Sequence, residues 1–81
     1  MKAIIYGKHP CNACDKAKLL LRMKSIDFDY LTVGTDISVE ELGARIGQRV
    51  SSVPQIFLDA GDSPRHIGGY DELRAVLQRP T

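Results

Sequence analysis

The chain has 81 residues, of which 43% are hydrophobic and 26% are charged, and its formal net charge is +1. This is the composition of an ordinary globular protein, and the near-neutral charge argues against the basic stripe of a nucleic-acid binder. Because no apolar run approaches the roughly 18 residues of a membrane span and no secretory signal is visible, we expect no membrane partner. We expect one small domain over residues 1–81, active as a monomer.

The first half of the chain predicts a strand, a helix and a second strand. The short apolar run at residues 2–6 predicts a strand buried on both faces. Residues 12–24 predict a helix, because apolar side chains recur there at steps of three and four. Residues 28–33 are rich in aromatic and β-branched side chains and predict a second strand. Such a βαβ unit predicts parallel strands with a right-handed crossover.

The second half predicts two helices and a hairpin. Ser38 and Glu41 fit a capping box for a helix that should end near Gly47. The other predicted elements are two strands, at 55–58 and 65–67, and a helix at 71–78. Residues 59–64 are dense in turn formers, so the two strands around them should pair as an antiparallel hairpin. The order β-α-β-α-β-β-α predicts an α/β fold with a mixed four-stranded sheet flanked by helices.

The two cysteines, Cys11 and Cys14, lie at the predicted turn from the first strand to the first helix. The positive end of a helix stabilises a thiolate, which is the form that attacks disulfides or binds metal. Both side chains fall within one helical turn, so a reversible disulfide between them is feasible. Because structural bridges usually link distant segments, this local pair favours redox chemistry in a reducing, cytoplasmic compartment.

Two other interpretations of the cysteine pair stay open. A metal site would need four ligands, for which only His9 and His66 could join the cysteines. The cysteines could also be inert and buried. Lys8 bears on the choice, because an ammonium group three residues before Cys11 would lower the thiol pKa and could hold a carboxylate near the sulfur. A solvated lysine at a loop edge is the plainer interpretation.

Two later segments are candidates for ligand contacts. Pro54 opens the third predicted strand, where a missing N–H is tolerated. A trans bond is the ordinary case, but a cis Val53–Pro54 bond would turn the Val53 N–H and C=O toward an incoming peptide. In the segment Gly68–Asp71, paired glycines permit close approach and the helix start can hold an anion. Asp71 would take the ammonium group of a zwitterionic peptide, or serve as a plain N-cap.

Three spaced motifs together resemble the glutaredoxin family. They are Tyr6–Cys14, Ser52–Phe57 and His66–Asp71, and they follow the family's order along the whole chain. The resemblance implies a thioredoxin fold with the first and third strands antiparallel at its centre. It also implies a cis Val53–Pro54 bond facing the cysteines and a groove for glutathione, the reducing co-substrate. We expect no metal.

The resemblance implies a role for each candidate residue. Cys11 would be the nucleophile and Cys14 the resolving thiol. Lys8 would bind the glycine carboxylate of glutathione, and three residues could provide its second contact, the last being preferred: Arg45, Gln48 and Arg49. Val53, beside Pro54, would pair with the cysteinyl backbone of glutathione. The γ-glutamyl end of glutathione would be held by Gly69, Tyr70 and Asp71.

The chain departs from the family between the cysteines, where Asn12–Ala13 replace the usual Pro-Tyr pair. This removes rigidity at the helix start and one wall of the groove. We expect a glutathione-dependent thiol–disulfide oxidoreductase that reduces protein disulfides and glutathione mixed disulfides, ribonucleotide reductase being a common family client. Two alternatives keep the fold: a redoxin fed by thioredoxin reductase that serves ribonucleotide reductase, and an iron–sulfur cluster carrier.

Overall fold

The computed structural model describes residues 1–61 and 63–78 and forms them into four strands and three helices. The elements are β1 (Lys2–Gly7), α1 (Asn12–Met23), β2 (Asp27–Thr32), α2 (Val39–Ile46), β3 (Gln55–Asp59), β4 (Arg65–Gly68) and α3 (Tyr70–Leu77). The predicted order is confirmed, and each predicted strand or helix has its observed counterpart within a residue at either end. The predicted turn at 59–64 includes Asp62, and the predicted domain includes 79–81; these positions lie outside the described residues.

The sheet has the strand order β2-β1-β3-β4. β1 and β2 are parallel, as the βαβ prediction requires. β1 and β3 are antiparallel with Ile5 opposite Ile56, and β3 and β4 are antiparallel with Phe57 opposite His66. This pairing brings the end of β1, the start of β3 and the end of β4 to one edge of the sheet. The loops that carry the three sequence motifs therefore meet there.

Both faces of the sheet are covered, because alternate residues of β1 and β3 point to opposite sides. Toward α1 and α3, the core contains Ala3, Ile5, Ala17, Leu21, Ile56, Leu58 and Leu73. Toward α2, it contains Tyr6, Ile37 and Leu42, with Ile4, Leu31 and Phe57 against them. Ala3 and Ile5 are fully buried and Tyr6 nearly so, which confirms the prediction that β1 is buried on both faces.

The ends of α2 follow the predicted signals. The hydroxyl of Ser38 accepts a hydrogen bond of 3.0 Å from the Glu41 N–H. The Glu41 carboxylate accepts from the same hydroxyl at 3.2 Å, so it reaches back to the side chain of the cap residue. Gly47 ends the helix with a φ of 75°, a left-handed conformation that favours glycine. Within the described part of the chain, no helix is long and apolar enough to cross a membrane.

Candidate active site

Cys11 is the N-cap of α1, at the edge of the sheet where the motif loops meet. Its backbone is extended, and its Sγ accepts a hydrogen bond of 3.1 Å from the Cys14 N–H. The two cysteines form a disulfide across a Cα–Cα distance of 5.2 Å. When that bond opens, a thiolate on Cys11 would face the N–H groups and the positive dipole end of α1. The local structure therefore favours the reactive form of this sulfur.

The two sulfurs differ in access to solvent. Cys11 is partly exposed, whereas Cys14 has no exposed surface. An incoming thiolate or disulfide can therefore reach Cys11 more readily than Cys14. This asymmetry comes from the helix itself, because Cys14 lies one turn further along α1 on the face that packs on the sheet.

A cleft of about 870 Å³ lies beside the cysteine pair. Its walls come from the start of α1, the loop that enters β3, and the junction of β4 with α3. They include Asn12, Ala13, Ser52, Val53, Pro54, Gly68, Gly69, Tyr70 and Asp71. The Val53–Pro54 bond is cis, as the resemblance implies, and the His9–Pro10 bond is cis as well. The structure thus brings the three sequence motifs together around one cleft.

Two of the predicted contact residues do not line this cleft. Lys8 is exposed on the loop before Cys11, and its carbonyl accepts a hydrogen bond of 3.1 Å from the Tyr30 hydroxyl. Arg49 lines a separate pocket against α2, together with Val39 and Glu40. Gln48 borders both this pocket and the cleft, so Arg49 lies next to the cleft without lining it.

The other two candidates for the second carboxylate contact lie in different surroundings. Gln48 lines the cleft. Arg45 donates a hydrogen bond of 2.7 Å to the Tyr6 hydroxyl, and its guanidinium lies 5.8 Å from the centre of that ring. Of the three candidates, Gln48 is the one placed to meet a ligand in the cleft.

Asp71 is not the N-cap of α3, so the plainer prediction for this residue is wrong. Gly69 is the N-cap, and its N–H donates a hydrogen bond of 2.7 Å to the Glu72 carboxylate. Asp71 therefore does not cap the helix, and its exposed side chain lines the cleft. Gly68 has a φ of 115°, and a Cβ there would come within 2.7 Å of the Glu72 carboxylate, so the sharp turn into α3 favours glycine.

Sequence reasoning missed the anchor of the loop that carries Val53. Gln55 is only 7% exposed, and its Nε2 donates a hydrogen bond of 2.9 Å to the Ser52 carbonyl. Its Oε1 lies 2.7 Å from His66 Nε2, which therefore carries the hydrogen in this bond. A glutamine directly after the proline, with a histidine on the paired strand, was the available signal. Among the described residues, no three His, Cys, Asp or Glu side chains form a metal-binding group.

The cleft carries charge of both signs. Lys16 and Arg74 bring positive charge from α1 and α3, and Asp71 and Glu72 bring negative charge from the first turn of α3. Glu72 is already bonded to the Gly69 N–H, which leaves Asp71 as the more accessible carboxylate of the two. Such a surface complements a ligand that itself carries both an ammonium group and carboxylates.

The fold and this disulfide define a thiol–disulfide oxidoreductase with a thioredoxin fold. The family model described as Glutaredoxin matches residues 3–61. The chain belongs to the glutaredoxin family. The family and fold expected from the sequence motifs are confirmed, as is the expected type of enzyme.

Relatives match along most of their length. Glutaredoxin 3 of Escherichia coli (strain K12) is 42% identical over 76 residues, which cover 93% of this chain and 84% of that protein. Glutaredoxin 1 of the same strain is 37% identical over 84 residues, covering 96% of this chain and 94% of that protein. Among solved structures, a wheat glutaredoxin matches with a TM-score of 0.75 at 26% identity, over 98% of this chain and 73% of the wheat chain.

Proposed function

We propose that the chain is a glutathione-dependent oxidoreductase that reduces protein disulfides and glutathione mixed disulfides. One observation carries the proposal. The partly exposed sulfur of Cys11 lies beside a cleft that offers backbone groups to a peptide and charges of both signs to a zwitterion. Val53 offers backbone groups on one wall, and Asp71 with the start of α3 forms another. A tripeptide with two carboxylates and one ammonium group matches that arrangement.

The proposed reaction begins at Cys11 and is a sequence of thiol–disulfide exchanges. The Cys11 thiolate attacks a substrate disulfide, forming a mixed disulfide and releasing one thiolate. Cys14 then attacks the Cys11 sulfur, which releases the other substrate thiolate and forms the enzyme disulfide seen in the structure. One glutathione thiolate attacks Cys11 and expels Cys14 as a thiolate. A second glutathione attacks the glutathione sulfur of the adduct, so two glutathiones leave as one disulfide.

The cleft suggests how glutathione is oriented. Val53 would pair with its cysteinyl backbone, next to Pro54, and Asp71 would take its ammonium group. The N–H groups of Tyr70 and Asp71 open α3, so they have no partner within the helix and would hold the γ-glutamyl carboxylate. The Gly69 N–H is already bonded to Glu72, and Gly69 would contribute close backbone approach instead. Lys8 would approach the glycine carboxylate from the loop before Cys11.

A pair of cysteine variants tests this function. Cys11→Ser should abolish turnover of a glutathionylated substrate, because the other cysteine, Cys14, has no surface exposed to solvent. Cys14→Ser should retain that activity, since a second glutathione can resolve the Cys11 adduct, but should lose reduction of protein disulfides. Turnover that survives Cys11→Ser would refute the nucleophile assignment. Faster reduction by thioredoxin reductase than by glutathione would favour the alternative redoxin.

The proposed chemistry also suggests where the protein acts. It needs a supply of reduced glutathione, and we place it in the cytoplasm, where glutathione keeps thiols reduced. Its clients would be proteins with accessible disulfides, ribonucleotide reductase among them. The protein would act on them as a monomer.

A further inference from the structure

The hydroxyl of Tyr30 and the buried sulfur of Cys14 both lie close to Gly7. Tyr30 belongs to β2 and projects from the same face of the sheet as Gly7, the last residue of β1. A Cβ placed on Gly7 would lie 2.8 Å from Cys14 Sγ and 2.9 Å from Tyr30 Cζ, and it would also meet the Tyr30 hydroxyl. Hydroxyl and sulfur therefore border the same small space, which the missing side chain of Gly7 leaves open.

Cys14 needs a hydrogen-bond donor when the disulfide opens. The sulfur has no solvent contact, and a buried anion without a partner is costly. The Cys14 N–H is directed at the Cys11 sulfur, so it does not serve Cys14 itself. The Tyr30 hydroxyl is a polar group close to the same Gly7 position as the Cys14 sulfur, and it can donate a hydrogen bond.

The present bond of Tyr30 is compatible with this second role. In the disulfide form, its hydroxyl donates to the Lys8 carbonyl at 3.1 Å. A disulfide sulfur is a weak acceptor, whereas a thiolate is a strong one. Rotation about the Cζ–Oη bond, with a small movement of the Cys14 side chain once the disulfide opens, would redirect the hydrogen from the carbonyl to the sulfur. The donor can therefore change its acceptor as the charge develops.

We propose that Tyr30 is a positioning residue for the resolving step, whose hydroxyl donates a hydrogen bond to the Cys14 thiolate. The proposal rests on the proposed function, in which Cys14 resolves adducts on Cys11. As the glutathione thiolate attacks Cys11, the S–S bond breaks and its electron pair leaves on Cys14, while Tyr30 keeps its proton. In the opposite direction, Cys14 loses its proton to water and attacks Cys11 in the mixed disulfide, releasing the substrate thiolate.

The charged groups around Tyr30 keep it a donor. On α1, Lys18 Nζ lies 4.5 Å from the centre of the Tyr30 ring and 3.4 Å from an Asp15 carboxylate oxygen. Lys8 follows β1, and the β1 residue opposite Tyr30 is the apolar Ile5. Burial first, and the Asp15 carboxylate second, raise the pKa of Tyr30 above its ordinary value of 10.0. The phenol therefore stays protonated through the pH range in which cysteine thiols titrate.

The pKa of Cys14 tests the proposal without any need for glutathione. In a Cys11→Ser background, the Cβ chemical shift of Cys14 is followed against pH, with and without Tyr30→Phe. Because a hydrogen bond to a charged group is strong, loss of the hydroxyl should raise the Cys14 pKa by about one unit. Tyr6→Phe is the matched control, since it loses a bonded hydroxyl on the opposite face of the sheet. It should leave the Cys14 pKa unchanged.

A kinetic measurement on the dithiol protein separates the two chemical steps. With Tyr30→Phe, closure of the ring from the Cys11 mixed disulfide should slow by about threefold below the Cys14 pKa. The thiolate becomes about tenfold rarer, and its greater nucleophilicity restores about threefold. The first attack by Cys11 should keep its rate.

Three outcomes decide the proposal. An unchanged Cys14 pKa in Tyr30→Phe overturns it, as does an equal rise in Tyr6→Phe. The proposal is also overturned if Lys18→Met, which keeps the hydroxyl and removes a nearby charge, raises the Cys14 pKa more than Tyr30→Phe does. Activity of the Cys11→Ser protein would instead overturn the proposed function, while the Cys14 titration would remain interpretable by itself. Unfolding temperatures of the variants confirm that each one folds.

Discussion

Gly7 controls how closely the active-site helix approaches the sheet. A Cβ at this position would lie 2.8 Å from Cys14 Sγ, closer than real Cβ contacts come. Its φ is not in the left-handed region, so the requirement for glycine here is one of space. One hydrogen in place of a methyl group thus lets Cys14 and Tyr30 lie side by side under the start of α1.

Gly7→Ala should destabilise the protein, because the methyl group must displace the buried sulfur, the tyrosine or β1. Overpacking of this kind costs about 1–3 kcal/mol in the free energy of unfolding. Urea denaturation under reducing conditions measures the effect, so that the disulfide is absent from this protein and from its control. The control is the same substitution in a Cys14→Ala background, where removal of the sulfur leaves room for part of the added methyl group. There the same substitution should cost less, and equal costs in both backgrounds would show that the sulfur is not what the methyl group meets.

At the scale of elements, β3 and β4 hold the Val53 loop through one buried glutamine. Gln55 joins the Ser52 carbonyl on one side to His66 on the other. Both of its polar ends are therefore satisfied although the side chain is 7% exposed. A buried amide with two partners fixes the backbone next to it more firmly than an apolar side chain would.

Gln55→Leu should loosen residues 52–54 while retaining most of the packing of β3. If Val53 pairs with glutathione as proposed, glutathione affinity should fall by about fivefold, the equivalent of one ordinary hydrogen bond of about 1 kcal/mol. A titration followed by amide NMR shifts measures this affinity. His66→Phe is the control, because it preserves the bond from Gln55 to Ser52 and should have the smaller effect. An affinity unchanged by Gln55→Leu would show that this anchor does not serve binding.

At the scale of the whole molecule, apolar patterns and turn signals predicted the order of the elements, and the resemblance to glutaredoxins added the antiparallel pairing of the first and third strands. Alternating and three-to-four-residue patterns assign each face of an element, and the strand order then brings the three motif loops to one edge. Contacts across elements were harder to predict, because they depend on strand register and loop path. Nothing local at Tyr30 shows that it lies against Cys14, and spacing along residues 45–49 does not show which side chain turns toward the cleft. These are properties of the assembled fold.

Gln48 and Arg49 are adjacent and exposed, and variants of the two residues test which side chain contacts a ligand in the cleft. Gln48 lines both the cleft beside the cysteines and the pocket against α2, whereas Arg49 lines that pocket and not the cleft. If the cleft binds glutathione, Gln48→Ala should raise the KM for glutathione by about twofold to thirteenfold, the range expected when a hydrogen bond of about 0.5–1.5 kcal/mol is lost. Arg49→Ala should change it little, although Arg49 carries the charge that sequence alone favours for a carboxylate. Steady-state kinetics with a glutathionylated substrate measures both variants, and a larger effect from Arg49→Ala would show that its side chain crosses to the cleft when glutathione binds.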